Sequence, residues 1–278
     1  MIRNALRLSL VLAGLVVGTA HTAPAATVST IKIDGVISPV TLRLIGSAID
    51  SAQAEHAAAL VIQLDTPGGL ERSMRAIVQR MMNAEVPVIV YVAPTGARAA
   101  SAGVFITMAA HVAAMSPATN IGAAHPVTIG GGSVEKESLR KIENDAAAFI
   151  RTVAQERGRN ADWAEKAVRQ SVSITEREAV TLKVVDLVAA SLGDLLAQVD
   201  GRVVKTVKGP VTLATRNATV KAIEISVRDR FLNVITDPNV AYVLMTLGML
   251  GLFFELMNPG VVLPGVVGGI SLLLAFFA

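Results

Sequence analysis

From Thr27 onward, short apolar runs alternate with stretches of helical spacing, and this alternation organises most of the chain. Val28 to Ile33 alternates loosely as a strand does, and Val40 to Ala54 carries apolar residues at helical intervals. Ala58-Ala59-Leu60-Val61-Ile62-Gln63-Leu64 predicts a second, buried strand, Leu70 to Met82 a second helix, and Val86 to Val92 a further buried strand. Val104 to Ala110 reads as the first turns of a buried helix, and His111 to Met115 as another strand. A long amphipathic helix is expected from Val134 to Arg157, stopped by Gly158, with Asn160 capping a short helix from Ala161 to about Val168. Thr175-Glu176-Arg177-Glu178 matches a capping box, Val184 to Val188 predicts a last strand, and Leu192 to Val199 a helix. Strands alternating with helices imply an α/β protein whose parallel sheet is covered on both faces. Lys205 to Asp229 reads as mixed strand and turn, so residues 203–238 are expected to be a connecting segment after a domain over 26–202.

The two ends of the chain have a different character. Arg3 and Arg7 precede an apolar run from Leu8 to Val17 and the small residues Ala23-Pro24-Ala25, the pattern of a secretory signal peptide over residues 1–25. The run is shorter than the ~20 residues a spanning helix needs, which leaves an uncleaved anchor as the alternative. Near the other end, Val240 to Leu256 is almost continuously apolar, Asn258-Pro259-Gly260 breaks it, and Val261 to Ala278 is apolar again. Residues 239–278 therefore predict a transmembrane hairpin or two successive spans, with Glu255 close enough to one end to reach the interface. The alternative is a buried soluble hairpin. The chain stops inside the second run, which reads as a truncation. Composition agrees with lipid contact, since hydrophobic residues make up 52% and mean hydropathy is +0.55. The net charge of +3 is spread without basic blocks or interleaved aromatics, which argues against nucleic acid as a partner. Cysteine is absent and the four histidines include no pair at ligand spacing, so neither thiol chemistry nor a metal centre is expected.

Chemistry points first to Ser101, in Gly96-Ala97-Arg98-Ala99-Ala100-Ser101-Ala102-Gly103. One hydroxyl sits between a buried strand and a buried helix, among neighbours with almost no side chains. Small residues let a substrate approach closely, and a helix starting there would aim unpaired N–H groups at an oxyanion formed beside it. A helix N-cap is the alternative role for such a serine. Asp65-Thr66-Pro67-Gly68-Gly69 follows the second strand, where the glycine pair opens backbone conformations closed to other residues; the alternative is an ordinary tight turn. Both stretches fall at the C-terminal ends of parallel strands, where sites in such sheets gather. Thr128 to Ser133 is rich in glycine and reads as a mobile loop.

Asp65-Thr66-Pro67-Gly68-Gly69, the Ala-Ala-Ser-Ala-Gly around Ser101, Ile121-Gly122-Ala123 and Ala154-Gln155-Glu156-Arg157-Gly158-Arg159-Asn160 together resemble the NfeD family. These are membrane-bound serine proteases related to signal peptide peptidase A and to the Clp protease and crotonase fold. The resemblance runs from about Thr27 to the C-terminus and holds in order and spacing. It implies a spiral of repeated β-β-α units, Ser101 as nucleophile and Lys141, in Lys141-Ile142-Glu143-Asn144, as general base of a Ser-Lys dyad. Gly69 and Ala102 would supply the oxyanion N–H groups, with Gly68 shaping the same hole. It further implies hydrophobic segments of membrane proteins as substrates, stomatin-like proteins as partners, no cofactor, a homo-oligomer, and a multi-pass place in the cytoplasmic membrane with the protease domain exported. The long type of the family continues into further spans and a small C-terminal β-barrel.

A lysine is a base only when neutral, and lowering its pKa from about 10.4 to roughly 7 to 8 costs about 3 to 4 kcal/mol of differential solvation. Ala148 and Phe149 offer apolar surroundings two turns on, but Asn144 and Asp145 stand at i+3 and i+4 from Lys141, so the dyad requires Asp145 to turn to solvent or to another partner. Lys136 lies on another face of the helix. His125 is the competing base, because soluble Clp proteases carry a histidine at a similar interval after the nucleophile; before Pro126 it is otherwise a turn residue. Two further readings are a catalytically silent scaffold using the same groove and a crotonase-type acyl-CoA enzyme, which Ser101 and the export signal disfavour. If the signal peptide acts, a reporter fused near Ser226 is active only when it is a type that works after export. Activity of a cytoplasm-only reporter there would reverse the topology.

Overall fold

The computed structural model describes residues 26–127, 135–258 and 260–277; the signal segment and the glycine-rich loop at 128–133 lie outside them. In chain order the elements are β1 (Thr27–Asp34), α1 (Pro39–Ala54), β2 (Ala59–Asp65), α2 (Glu71–Met82), β3 (Val88–Val92), β4 (Arg98–Ala99) and α3 (Ala102–Ala109). Then come β5 (Val112–Met115), β6 (Asn120–Gly122), α4 (Lys136–Glu156), α5 (Ala161–Arg169), β7 (Ser173–Thr175), α6 (Glu176–Thr181), β8 (Leu187–Val188) and α7 (Leu192–Val199). A hairpin of β9 (Val203–Thr206) and β10 (Gly209–Thr212), the strand β11 (Thr219–Ala222), and helices α8 (Val227–Ile235), α9 (Pro238–Met257) and α10 (Val262–Phe277) complete it.

The main sheet has the order β11-β1-β2-β3-β5-β8, and every neighbouring pair in it is parallel. A second, small sheet has the order β4-β6-β7, and an isolated bridge from Thr66 to Ala99 extends it toward the end of β2. Each turn of the chain therefore lays a strand in the large sheet, crosses the small one, and returns through a helix: β2, Thr66, α2; β3, β4, α3; β5, β6, α4. These are the β-β-α units the family resemblance implies.

Continuous apolar strands follow from burial on both faces. Leu60, Ile62 and Leu64 of β2 and Val88, Val90 and Val92 of β3 point into a core with Ile45, Ile77, Met81 and Ile106 from α1, α2 and α3. Ala59, Val61, Ile89 and Tyr91 point the other way, against Leu195, Leu196 and Val199 of α7. The Tyr91 hydroxyl is tolerated there because it donates to the Ala189 carbonyl at 2.7 Å.

After Gly201, the stretch read as mixed strand and turn holds the β9–β10 hairpin and β11, which adds to the edge of the main sheet beside β1, and it runs on into the helix α8. β11 carries no burial signal of its own: all four of its residues are exposed, and the ladder with Thr27 to Thr30 makes it a strand. The strand expected over Val184 to Val188 shrinks to Leu187–Val188.

Arg157 and Arg159, on either side of the helix stop Gly158, close the C-terminal end of α3. Arg157 Nε donates to Ala109 O at 2.8 Å, and Arg159 Nη1 donates to Met108 O and Ala110 O at 3.1 and 2.8 Å. Asp186 balances the buried Arg159 guanidinium at 2.7 Å and also accepts from Ala113 N. His111 lies in this neighbourhood, its Nδ1 accepting from Val88 N at 3.0 Å. Burial first, and then the charges of Arg157 and Arg159, push its pKa down to about 3. The folded state thus excludes a proton that the unfolded chain takes up below the ordinary value near 6.5. The stability this withholds is fully present above 6.5 and is lost as pH falls from there toward about 3. Thermal melts of the detergent-solubilised chain should drop over that window, by at most ~1.4 kcal/mol per pH unit for one group. His111→Asn, which keeps an acceptor for Val88, should flatten the slope; an unchanged slope would refute the assignment.

Candidate active site

Ser101 sits at the junction from β4 to α3 with φ 50° and ψ −113°, a left-handed conformation that costs a non-glycine residue ~1–3 kcal/mol. It stands at the N-cap position of α3, but its side chain makes no capping bond there. The conformation is held from the backbone: Ser101 N donates to Ala123 O at 2.6 Å, and Ser101 O accepts from Val104 N at 3.0 Å. Oγ thus stands at the mouth of α3 without a protein hydrogen bond among the described residues.

The Gly68-Gly69 turn is brought beside it by a backbone ladder in which Thr66 N donates to Arg98 O at 2.8 Å and Ala100 N donates to Thr66 O at 3.1 Å. Gly68 has φ 119°, and a Cβ there would stand 2.5 Å from Ser101 Cβ and 3.0 Å from Oγ. Gly69 has φ 158°, and a Cβ there would meet the Ile37 carbonyl oxygen at 2.2 Å. The Gly68 N–H is engaged, donating to Thr66 Oγ1 at 3.0 Å, so Gly68 bears on the hole by its lack of a side chain. Ile37 brackets the turn, its N–H donating to Gly68 O and its carbonyl accepting from Leu70 N, both at 2.8 Å. That leaves the N–H groups of Gly69 and Ala102 without a backbone acceptor among the described residues, and both residues line the cavity with Ser101. Thr66 and Ile37 escape sequence reasoning in different ways. Thr66 lies inside a quoted motif, and its hydroxyl makes a local turn with Gly68 that such a residue can signal, whereas Ile37 carries no local signal at all.

A cavity of about 350 Å³ opens in front of Ser101 and Ala102, with Gly69, Met74, Phe105 and Ile142 among its walls. Its lining is mainly apolar, with Glu71 and Glu143 as carboxylates, both engaged by arginines. His125 lines the same cavity, its Nδ1 2.9 Å from the Val168 carbonyl. Since a carbonyl only accepts, Nδ1 carries the proton and Nε2 is left as the acceptor nitrogen.

Lys141 is placed elsewhere. Leu139, Ile142, Glu143 and Ala146 turn toward the cavity, whereas Lys141 lies on the outer face of α4, 74% exposed, with Nζ 3.0 Å from Glu137 Oε1. Glu137, one turn earlier, holds the amine, and Glu before Lys at i,i+4 is the favourable order on a helix. The carboxylate that sequence reasoning feared is out of the way: Asp145 pairs with Arg75, and Arg169 takes Asn144 and Glu143. The structure therefore gathers Ser101, Gly68, Gly69, Ala102 and His125, and leaves Lys141 outside the cavity. The core-facing residues of α4, from Ala146 to Ala154, all lie in its second half.

Fold and site together define a membrane-anchored α/β protein built around a serine-bearing strand-to-helix turn. Residues 27–206 match the family described as NfeD1b, N-terminal domain, and residues 239–278 match the NfeD integral membrane domain; the chain belongs to the NfeD family. The membrane-bound protease PH1510 of Pyrococcus horikoshii is 41% identical over 249 residues, 88% of this chain and 56% of that protein. The membrane protein NfeD1b of Bacillus subtilis is 26% identical over 261 residues, 90% of this chain and 56% of its own length. The chain thus spans about half the length of these curated relatives. Among solved structures, a lysine-to-alanine mutant of the 1510-N membrane-bound stomatin-specific protease, in complex with a substrate peptide, superposes with a TM-score of 0.72 at 35% identity. That match covers 77% of this chain and all of the other. A serine-to-alanine mutant of the same protease gives 0.69 at 37% identity, covering 73% of this chain and all of the other.

The close approach of Gly68 to Ser101 carries a prediction. Gly68→Ala should lower the rate of fluorophosphonate labelling at least about 10²-fold, because the new methyl must displace the serine. Gly96→Ala is the control, since φ there is also positive, at 87°, but no atom stands within 4 Å of a new Cβ; it should cost ~1 kcal/mol of stability and label normally. Equal labelling by both variants would refute the steric role of Gly68.

Proposed function

We propose that this chain is a membrane-anchored serine endopeptidase, with Ser101 as nucleophile, acting on hydrophobic segments of membrane proteins of the stomatin-like kind. The observation that carries the reading is the strained Ser101, its hydroxyl unbonded at a helix N-terminus, facing an apolar cavity lined also by two residues with free N–H groups. Ser101 Oγ attacks the scissile carbonyl, the oxyanion is held by the Gly69 and Ala102 N–H groups, and a base takes the hydroxyl proton and returns it to the leaving amine. An acyl-enzyme remains, which water then cleaves. The protease domain stands on the exported side of the membrane.

Lys141 is the proposed base. It is supported by the motif it shares with the family and by the relative studied as both a serine and a lysine mutant, the latter with a substrate peptide. For Lys141 to reach Ser101, the first turns of α4 turn or unwind, exchanging Glu137 for the apolar cavity. Their lack of core anchors makes this the soft part of the helix. The cavity and a bound hydrophobic segment then desolvate the amine, which favours its neutral, proton-accepting form. A second reading has its own observation: His125 already lines the cavity with Nε2 as acceptor.

Single-turnover acylation across pH separates the two. With a lysine base, activity rises above neutrality and Lys141→Ala removes it, as Ser101→Ala removes labelling altogether. A histidine base switches activity on at lower pH than a lysine base, and His125→Ala is then the inactivating change. If Lys141→Ala acylates at the parent rate while His125→Ala does not, the dyad is wrong. If Ser101→Ala retains hydrolysis, the nucleophile is wrong. A parent protein that never labels is a scaffold.

A further inference from the structure

Helix α8 carries an apolar stripe that the protease domain does not cover. Val227, Phe231 and Val234 are 84%, 56% and 53% exposed. At ~100° per residue the three lie within roughly 60° of one another, one narrow line along the helix. The exposed Arg228 and Arg230 stand on either side of that line. Two other positions of α8 tie it to the protein: Ile235, at its C-terminal end, is buried, and Asp229 accepts from Arg43 of α1 at 2.7 Å. The helix is thus held at these points and bare along the stripe.

What covers the bare side follows from the next element. Asp237 caps α9 by accepting from Asn239 N at 2.8 Å, and Asn239–Met257 is a helix long and apolar enough to cross a membrane, almost none of it buried in the protein. Val234 is five residues from the start of that span, so the chain between them reaches at most about 17 Å. A bilayer crossed by α9 therefore has its surface beside α8. An apolar line with flanking arginines is what a helix lying in a phospholipid interface presents, the apolar residues entering the acyl boundary and the guanidinium groups meeting phosphates.

We infer that α8 is an interfacial helix, seated through Val227, Phe231 and Val234 in the headgroup boundary of the bilayer that α9 crosses. The seat has a consequence for the site. Thr236 and Asp237, at the junction of α8 and α9, line a small pocket with Asp34, Gly35, Val36 and Ser38. That loop contains Ile37, whose backbone brackets the Gly68-Gly69 turn. Seating α8 thus holds the oxyanion turn at a set height over the lipid surface, where a hydrophobic segment emerging from the membrane is presented; this last step rests on the proposed function, the seat itself does not.

The test uses the whole chain, whose lack of cysteine makes single labelling sites simple. Val227→Cys, Phe231→Cys and Val234→Cys each carry an environment-sensitive fluorophore. Arg177→Cys, at a position 91% exposed on α6, is the reference. The variants are reconstituted in liposomes of phosphatidylcholine with phosphatidylglycerol, a fraction of the lipid bearing a nitroxide near the headgroup. The three stripe positions should be quenched by the nitroxide lipid at least about threefold more than the reference and shielded from aqueous iodide. Iodide quenching at all three would overturn the inference, and so would shielding from both quenchers, which would mean a protein partner such as a second copy. Because no reading depends on hydrolysis, failure of the seat and failure of the protease assignment remain distinguishable.

Discussion

Everything at the site depends on how closely two turns approach. The backbone of Gly68 lies where only a hydrogen fits against Ser101, and the distance is set by the ladder that ties Thr66 to Arg98 and Ala100. Because the ladder is backbone to backbone, it tolerates change in most side chains around it but not at Gly68 and Gly69. Ile37, Thr66, Ala100 and Ala123 all contribute through main-chain atoms, and the side chains nearest the hydroxyl are correspondingly small. A site made this way is preorganised before any ligand arrives, which is what oxyanion stabilisation requires.

The helix that begins at Ser101 is treated differently at its two ends. Its N-terminus is left open, so unpaired N–H groups and the positive end of the helix dipole face the cavity. Its C-terminus is buried, and three of its carbonyls would be orphaned there without Arg157 and Arg159. Burial of Arg159 is in turn supported by Asp186, while crowding between Arg157 and Arg159 depresses the Arg157 pKa to about 10, after burial as the larger cause. The polar groups of this end anchor α3 at the end opposite Ser101.

Helix α4 divides into an anchored half and an exposed one. From Ala146 onward it is packed into the core through Ala147, Ile150 and Ala154, and Phe149 stacks on Phe105 with ring centroids 5.9 Å apart while Arg75 lies over its face. Before Ala146 it offers the cavity a wall of Leu139 and Ile142 and offers solvent its charges. A wall built on an exposed helical segment can change its facing without disturbing the sheet. The protein thus joins a turn pair fixed by backbone to a cavity wall on the exposed half of α4 and to a membrane region whose first helix follows directly on α8.

Local pattern alone determined a large part of this protein. The α/β alternation, the helices α1, α2, α4, α5 and α7, the buried strands β1, β2, β3 and β5, and the caps at Asn160 and Thr175 are all visible in the chain, because each rests on periodicity or on a hydrogen bond between near neighbours. The family motifs singled out Ser101 and the two glycines for the same reason, since a turn among small residues is a local property. Tertiary structure alone decided the rest. The two-residue strand β4, the edge strand β11 and the bracket from Ile37 exist only through pairing with distant backbone, which no side-chain pattern encodes. The same holds for the face on which Lys141 stands: helical spacing fixes which residues share a face, but which face meets the cavity is set by the packing of Ala146 to Ala154 against a core assembled from other helices and the sheet.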